Sequence, residues 1–170
     1  MLQINSGLLD SDGLKNKNTF MDVILKVNAY FIHVFGEETM NKIDIYVDNA
    51  TKDSGHTPRI NPVFNKFLHI KLCITPESHE GIIAFQFAHE LMHYIHYCHY
   101  GFERQHEDIQ YIREENVCTA ASLIVVHDLY PQYFCDLDAY VRGLLDIRYQ
   151  KGAELAEQFK YNLFALKGLV

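Results

Sequence analysis

Residues 89–93 read His89-Glu90-Leu91-Met92-His93. On a helix, residues four apart share a face and stand about 6 Å from each other at the backbone. Two imidazoles so placed can converge on one Zn²⁺ ion. Glu90 follows His89 by one residue, about 100° around the axis. It can face a water on the metal without being a ligand. Zinc brings the pKa of such a water down to about 7, and a carboxylate beside it can take the proton as a general base. The chain has ten histidines among 170 residues, so a chance match is the competing explanation. Three features of the surroundings argue against chance: an amphipathic helix, a one-sided strand before it, and carboxylates on a later helix.

Those elements can be read from periodicity. Ile83, Phe87, Leu91 and Ile95 repeat every four residues within a helix expected over 78–99, with Gly101 as a stop. Before it, Leu68, Ile70, Leu72 and Ile74 alternate with His69, Lys71 and Cys73, a strand that Pro76 should end. An earlier alternation, Ile43, Ile45 and Val47, predicts a second strand. Between the two strands, residues 49–65 carry Gly55, Pro58 and Pro62 and read as loop with at most a short extended piece. Phe20, Val23, Ile24, Val27, Phe31 and Val34 predict a helix from Thr19 to Gly36. After the motif, helices are expected over 108–129, 131–147 and 149–166, and a solvated charged stretch over 103–107. Leu155, Phe159, Leu163 and Leu166 make the last a packing helix, and Tyr94, Tyr97, Tyr100 and Phe102 read as core and cleft wall. The order predicts an α+β domain with a small sheet. Residues 1–18 are polar and read as a lead-in, with 19–170 as a single domain.

Composition excludes several classes. The chain is 48% hydrophobic and 22% charged, too apolar for disorder. Its net charge of −7 argues against direct nucleic-acid binding, which needs clustered basic charge. No apolar run reaches the ~20 residues of a membrane span. No secretory signal is visible, and Cys73, Cys98, Cys118 and Cys135 form no CxxC pair. Both observations point to reduced thiols and a cytoplasmic location.

Strand, turn, then Ala88-His89-Glu90-Leu91-Met92-His93 on a helix resembles the zincin metallopeptidases. In that fold the strand before the motif helix is an edge strand that binds substrate by strand addition. The resemblance assigns that role to Leu68–Ile74. It also asks for a third ligand. His99 sits where metzincins place theirs, but His96 stands in place of the glycine that turns the chain back. On a continuous helix His99 lies about 15 Å along the axis from His89 and His96 about 10 Å, both too far to share one ion. His96 then reads as a cleft-rim, supporting or surface residue. Gluzincins take the third ligand from a glutamate on a second helix. Glu115 is the favoured match, because Cys118, Thr119 and Ser122 give its face the small residues that permit close helix approach. Glu114 is the alternative. Within the gluzincins the chain is most similar to the compact ImmA/IrrE-like group, whose members act on transcriptional repressors. It departs from that group in Met92, in Glu-Asn-Val-Cys-Thr-Ala after the motif, and in having no helix-turn-helix extension.

The resemblance implies a zinc-dependent peptidase acting on a protein or peptide, a repressor among the candidates. His89, His93 and Glu115 would hold Zn²⁺, and Glu90 would be catalytic. The rival is a zinc-containing regulatory binding module without turnover. An oxyanion donor is also expected, with Tyr111, His127 and Tyr130 as candidates.

Overall fold

Alternating apolar residues build a four-stranded mixed sheet in the computed structural model, which describes residues 1–4, 17–49, 57–75, 77–102 and 108–170. The strands are β1 (Leu2–Ile4), β2 (Asp44–Asn49), β3 (Arg59–Val63) and β4 (Phe67–Leu72), in the spatial order β1-β2-β4-β3. β1 with β2 and β2 with β4 are parallel pairs, and β3 runs antiparallel to β4. Ile45 faces Leu68 and Val47 faces Ile70 in register. All four of these side chains, and Leu72, are buried.

Two expectations are corrected here. The strand before the motif helix is not an edge, because β4 is paired on both sides. The edge on that side is β3, within the span whose glycine and prolines read as loop. Pro62 is compatible with it because an edge strand tolerates a missing N–H. A tight turn joins β3 to β4: Phe64 and Asn65 both have positive φ (51° and 52°), and Lys66 N–H donates to the Val63 carbonyl at 3.1 Å. This is the geometry of short hairpin turns. The second correction is β1, which draws the start of the polar lead-in into the sheet. The stretch 103–107 and Pro76 lie outside the described residues.

Among the described residues seven α-helices complete the α+β fold: α1 (Lys17–Phe35), α2 (Glu37–Met40), α3 (Glu80–Tyr100), α4 (Asp108–Leu129), α5 (Phe134–Gly143), α6 (Ile147–Gln158) and α7 (Leu163–Leu166). The periodic residues of α1 and of α3 are all buried. α3 is buried around most of its circumference, between α1, the sheet and α4. The expected last helix is broken in two. Lys160 and Tyr161 both take φ of 54°, and the Asn162 side chain accepts from Phe164 N–H to start α7. Asn162 thus supplies a cap where periodicity alone predicts continuity.

Two side-chain amides fix β4 to its surroundings beyond its last paired residue. Asn49 exchanges two hydrogen bonds with the Ile74 backbone, at 2.7 and 2.9 Å. Gln86 does the same for Cys73, at 2.9 and 3.2 Å. Gln86 is on α3, one turn before His89, so the motif helix is tied to the end of the central strand.

Candidate metal centre

The i,i+4 spacing brings His89 and His93 together on α3, with ring centroids 5.0 Å apart. α4 packs across this face. Its Glu115 carboxylate reaches both rings: Oε2 is 3.3 Å from His89 Nε2 and Oε1 is 3.4 Å from His93 Nε2. Glu114 does something different. Its Oε1 lies 2.5 Å from His93 Nδ1, on the opposite side of the ring. The neighbouring carboxylates therefore grip one imidazole by its two nitrogens. The structure brings Glu115, not Glu114, to the shared side of both histidines, and Glu114 orients His93 from behind. Ligating histidines ordinarily donate their second N–H to such a carboxylate.

Sequence spacing read Cys118 only as a small residue. In the structure it is fully buried, one turn after Glu115. Donor atoms of His89, His93 and Cys118 all lie within 4.8 Å of one another, a cluster that could hold a metal ion.

The electrostatics follow from burial and crowding. Burial opposes charge on His93, but Cys118, Glu114 and Glu115 outweigh it and hold the imidazole well above its usual pKa. Burial likewise works against the Glu115 carboxylate, yet hydrogen bonds from His89 and His93 hold it well below the usual carboxylate range. Glu90 is 3% exposed, and burial lifts its carboxyl above the ordinary value despite His89 and His93. Burial pushes the Cys118 thiol up to about 12.

This centre lies in a cavity of about 840 Å³. His89, Glu90, His93, Glu114 and Glu115 line its floor. Thr57 to Ile60, running into β3, line one wall. Tyr111, Tyr140, Leu144, Arg148 and Tyr149 line another. Tyr149 stacks on His89 with ring centroids 6.4 Å apart. Arg148 is held by Asp146 through both Nε and Nη2 and lies 5.5 Å from the Tyr111 ring centroid. Among the oxyanion candidates, Tyr111 borders the cavity and bonds Glu115. His127 and Tyr130 do not border it. His127 stacks on Tyr161, and Tyr130 packs under Lys26. His96 is buried and outside the cavity lining, which corrects its reading as a rim or surface residue, and His99 is exposed. Tyr149 opens the helix read only as packing and Arg148 falls between the two expected helices, and no local pattern marks either, because their place is set by how α6 docks on α4.

Comparison with protein-family models, with curated proteins and with solved structures finds no match. Two imidazoles, a carboxylate and a thiol suit a cation of intermediate softness better than calcium or magnesium, which favour all-oxygen sets. No helix among the described residues is long and apolar enough to cross a membrane.

Proposed function

We propose that this protein is a zinc-dependent peptidase that hydrolyses a peptide bond of a protein substrate, with His89, His93 and Glu115 as ligands and Glu90 as general base. The observation that carries this reading is the Glu115 carboxylate, 3.3 and 3.4 Å from the Nε2 atoms of His89 and His93. Zinc–nitrogen and zinc–oxygen bonds of about 2.0–2.1 Å imply a tetrahedral edge of roughly 3.3 Å, and each Glu115 oxygen stands at about that distance from one of the two imidazole nitrogens. Bound zinc supplies Lewis acidity and brings the pKa of water down to about 7.

The chain's own groups do the rest. Glu90 takes the proton of the attacking water on a carboxylate oxygen and returns it to the departing amine. Its raised pKa suits that exchange. Glu114 keeps His93 in the tautomer whose Nε2 is free to ligate. Tyr149, beside His89, donates to the oxygen that gains charge at the scissile carbonyl. β3, an edge strand that borders the cavity, takes the substrate as an added strand, the part first expected of 68–74. Repressor proteins are the first substrates to test, on the strength of the ImmA/IrrE resemblance.

The test uses the zinc-loaded protein and a Glu90→Gln variant, each incubated with the same mixture of unfolded polypeptides, repressors included. New N-termini are counted by mass spectrometry. The variant should keep its zinc and lose at least about a hundredfold in hydrolysis. Equal hydrolysis by both removes Glu90 as the base, and no hydrolysis by the wild type removes the peptidase reading. A binding module that holds metal without turnover is the second reading, and the position of Cys118 favours it, because structural zinc sites close with four protein donors.

A further inference from the structure

Cys118 is a buried donor at the centre that the three-ligand set leaves unused. We propose that Cys118 is a fourth metal-ligating residue, so that the resting set is His89, His93, Glu115 and Cys118. This rests on the reading of the centre as a metal site and adds to it.

Three observations carry the assignment. The first is distance. A donor atom from each of Cys118, His89 and His93 falls within one 4.8 Å group. Zinc–sulfur and zinc–nitrogen bonds of about 2.3 and 2.0 Å imply an S···N edge of roughly 3.5 Å. The sulfur needs to close by little more than about 1 Å, within the swing of a side chain with one rotatable bond. The second is phase. Cys118 follows Glu115 by three residues on α4, so the two side chains lie one above the other on the face turned to α3. The third is that α6 presses close against α4 beside Cys118, at Thr119. A Cβ on Gly152 of α6 would lie 2.4 Å from Thr119 Cβ, so only glycine permits this approach. The ordinary role of a buried cysteine, as a small hydrophobe, is filled on the same helix by Ala120 and Ala121, both fully buried.

The consequence is chemical. Four protein donors leave a tetrahedral ion no open corner, and a thiolate among them selects zinc over magnesium, calcium or manganese. Turnover then requires that the thiolate withdraw or that the ion accept a fifth donor.

The test is cobalt substitution of the metal-free protein, read by absorption. The wild type should bind one equivalent and show a sulfur-to-cobalt charge-transfer band in the near ultraviolet. Cys118→Ser and Cys118→Ala should still bind cobalt, lack that band, and bind zinc at least about tenfold more weakly. Cys73→Ser should keep the band. X-ray absorption at the zinc edge of the wild type needs no variant and should find one sulfur at about 2.3 Å. A shell of nitrogen and oxygen only, or a band unchanged in both Cys118 variants, overturns the assignment and leaves the three-ligand reading standing. Failure of the wild type to bind either metal overturns both.

Discussion

The floor and the walls of the cavity are built on different principles. The floor is two helices whose functional side chains are nearly all buried and bonded to one another: His89 and His93 to Glu115, and His93 also to Glu114. The walls are an edge strand on one side and, on the other, the start of α4, the end of α5 and the start of α6. Their residues are half-buried or exposed, and Arg148 is held by Asp146 two positions away and lies beside the Tyr111 ring. In the floor each group fixes its neighbour, so chemistry and packing are one network. In the walls the groups face the cavity and meet the floor from one side, Tyr111 at Glu115 and Tyr149 at His89. The contrast teaches that the floor should respond to substitution through the metal, and the walls through substrate and rate.

The largest break in that contrast is expected at Glu115. Glu115→Ala should weaken zinc binding by at least about a hundredfold, measured by competition with a chelator of known affinity. Tight binding in this variant would remove Glu115 from the ligand set. A wall residue comes next. Tyr149→Phe should lower kcat by about a hundredfold while zinc content and KM hold, the scale for losing one oxyanion donor. A change confined to KM would make Tyr149 a substrate contact only. Glu114→Gln should cost about tenfold to a hundredfold in zinc affinity, with hydrolysis restored at saturating zinc. An effect on rate that zinc cannot repair would place Glu114 in the chemistry.

The smallest effect separates the metal-free from the loaded protein by pH. His93 is raised above its unfolded value of about 6.5. A raised basic group contributes stability that is complete below the unfolded pKa and lost as pH rises through the folded one. Glu90, a raised acid, acts in the same direction. Thermal melts of the metal-free protein should therefore fall from pH 6 toward alkaline pH. Zinc binds neutral imidazole, so the loaded protein should instead gain stability over the lower part of that range. Parallel trends in the two forms would mean that His93 does not exchange its proton for the metal.

The same contrast explains what could be read in advance. His89, Glu90 and His93 were legible because one helix fixes them and helical phase needs no tertiary knowledge. The bounds of α4 were legible for the same reason, and the small residues after Glu115 pointed to the carboxylate that the structure sets against both imidazoles. Cys118 carried the same signal and was absorbed by it, since a thiol and a methyl look alike to an argument about size. β3 was hidden because Pro58 and Pro62 signal loop unless the strand is known to be an edge. Arg148 and Tyr149 were hidden because they reach the cavity only once α6 packs on α4 through Gly152.

The amide of Gln86 has a consequence for which changes this chain could tolerate. It fastens α3 to Cys73 at a point three residues before His89. One residue inserted in that interval would leave the fastening intact and turn both histidines about 100° away from α4. The interval thus sets the angular timing of the helix, as a key fixes a shaft to its gear. Residues 87 and 88 are fully buried, so the core constrains their kind while this timing constrains their number.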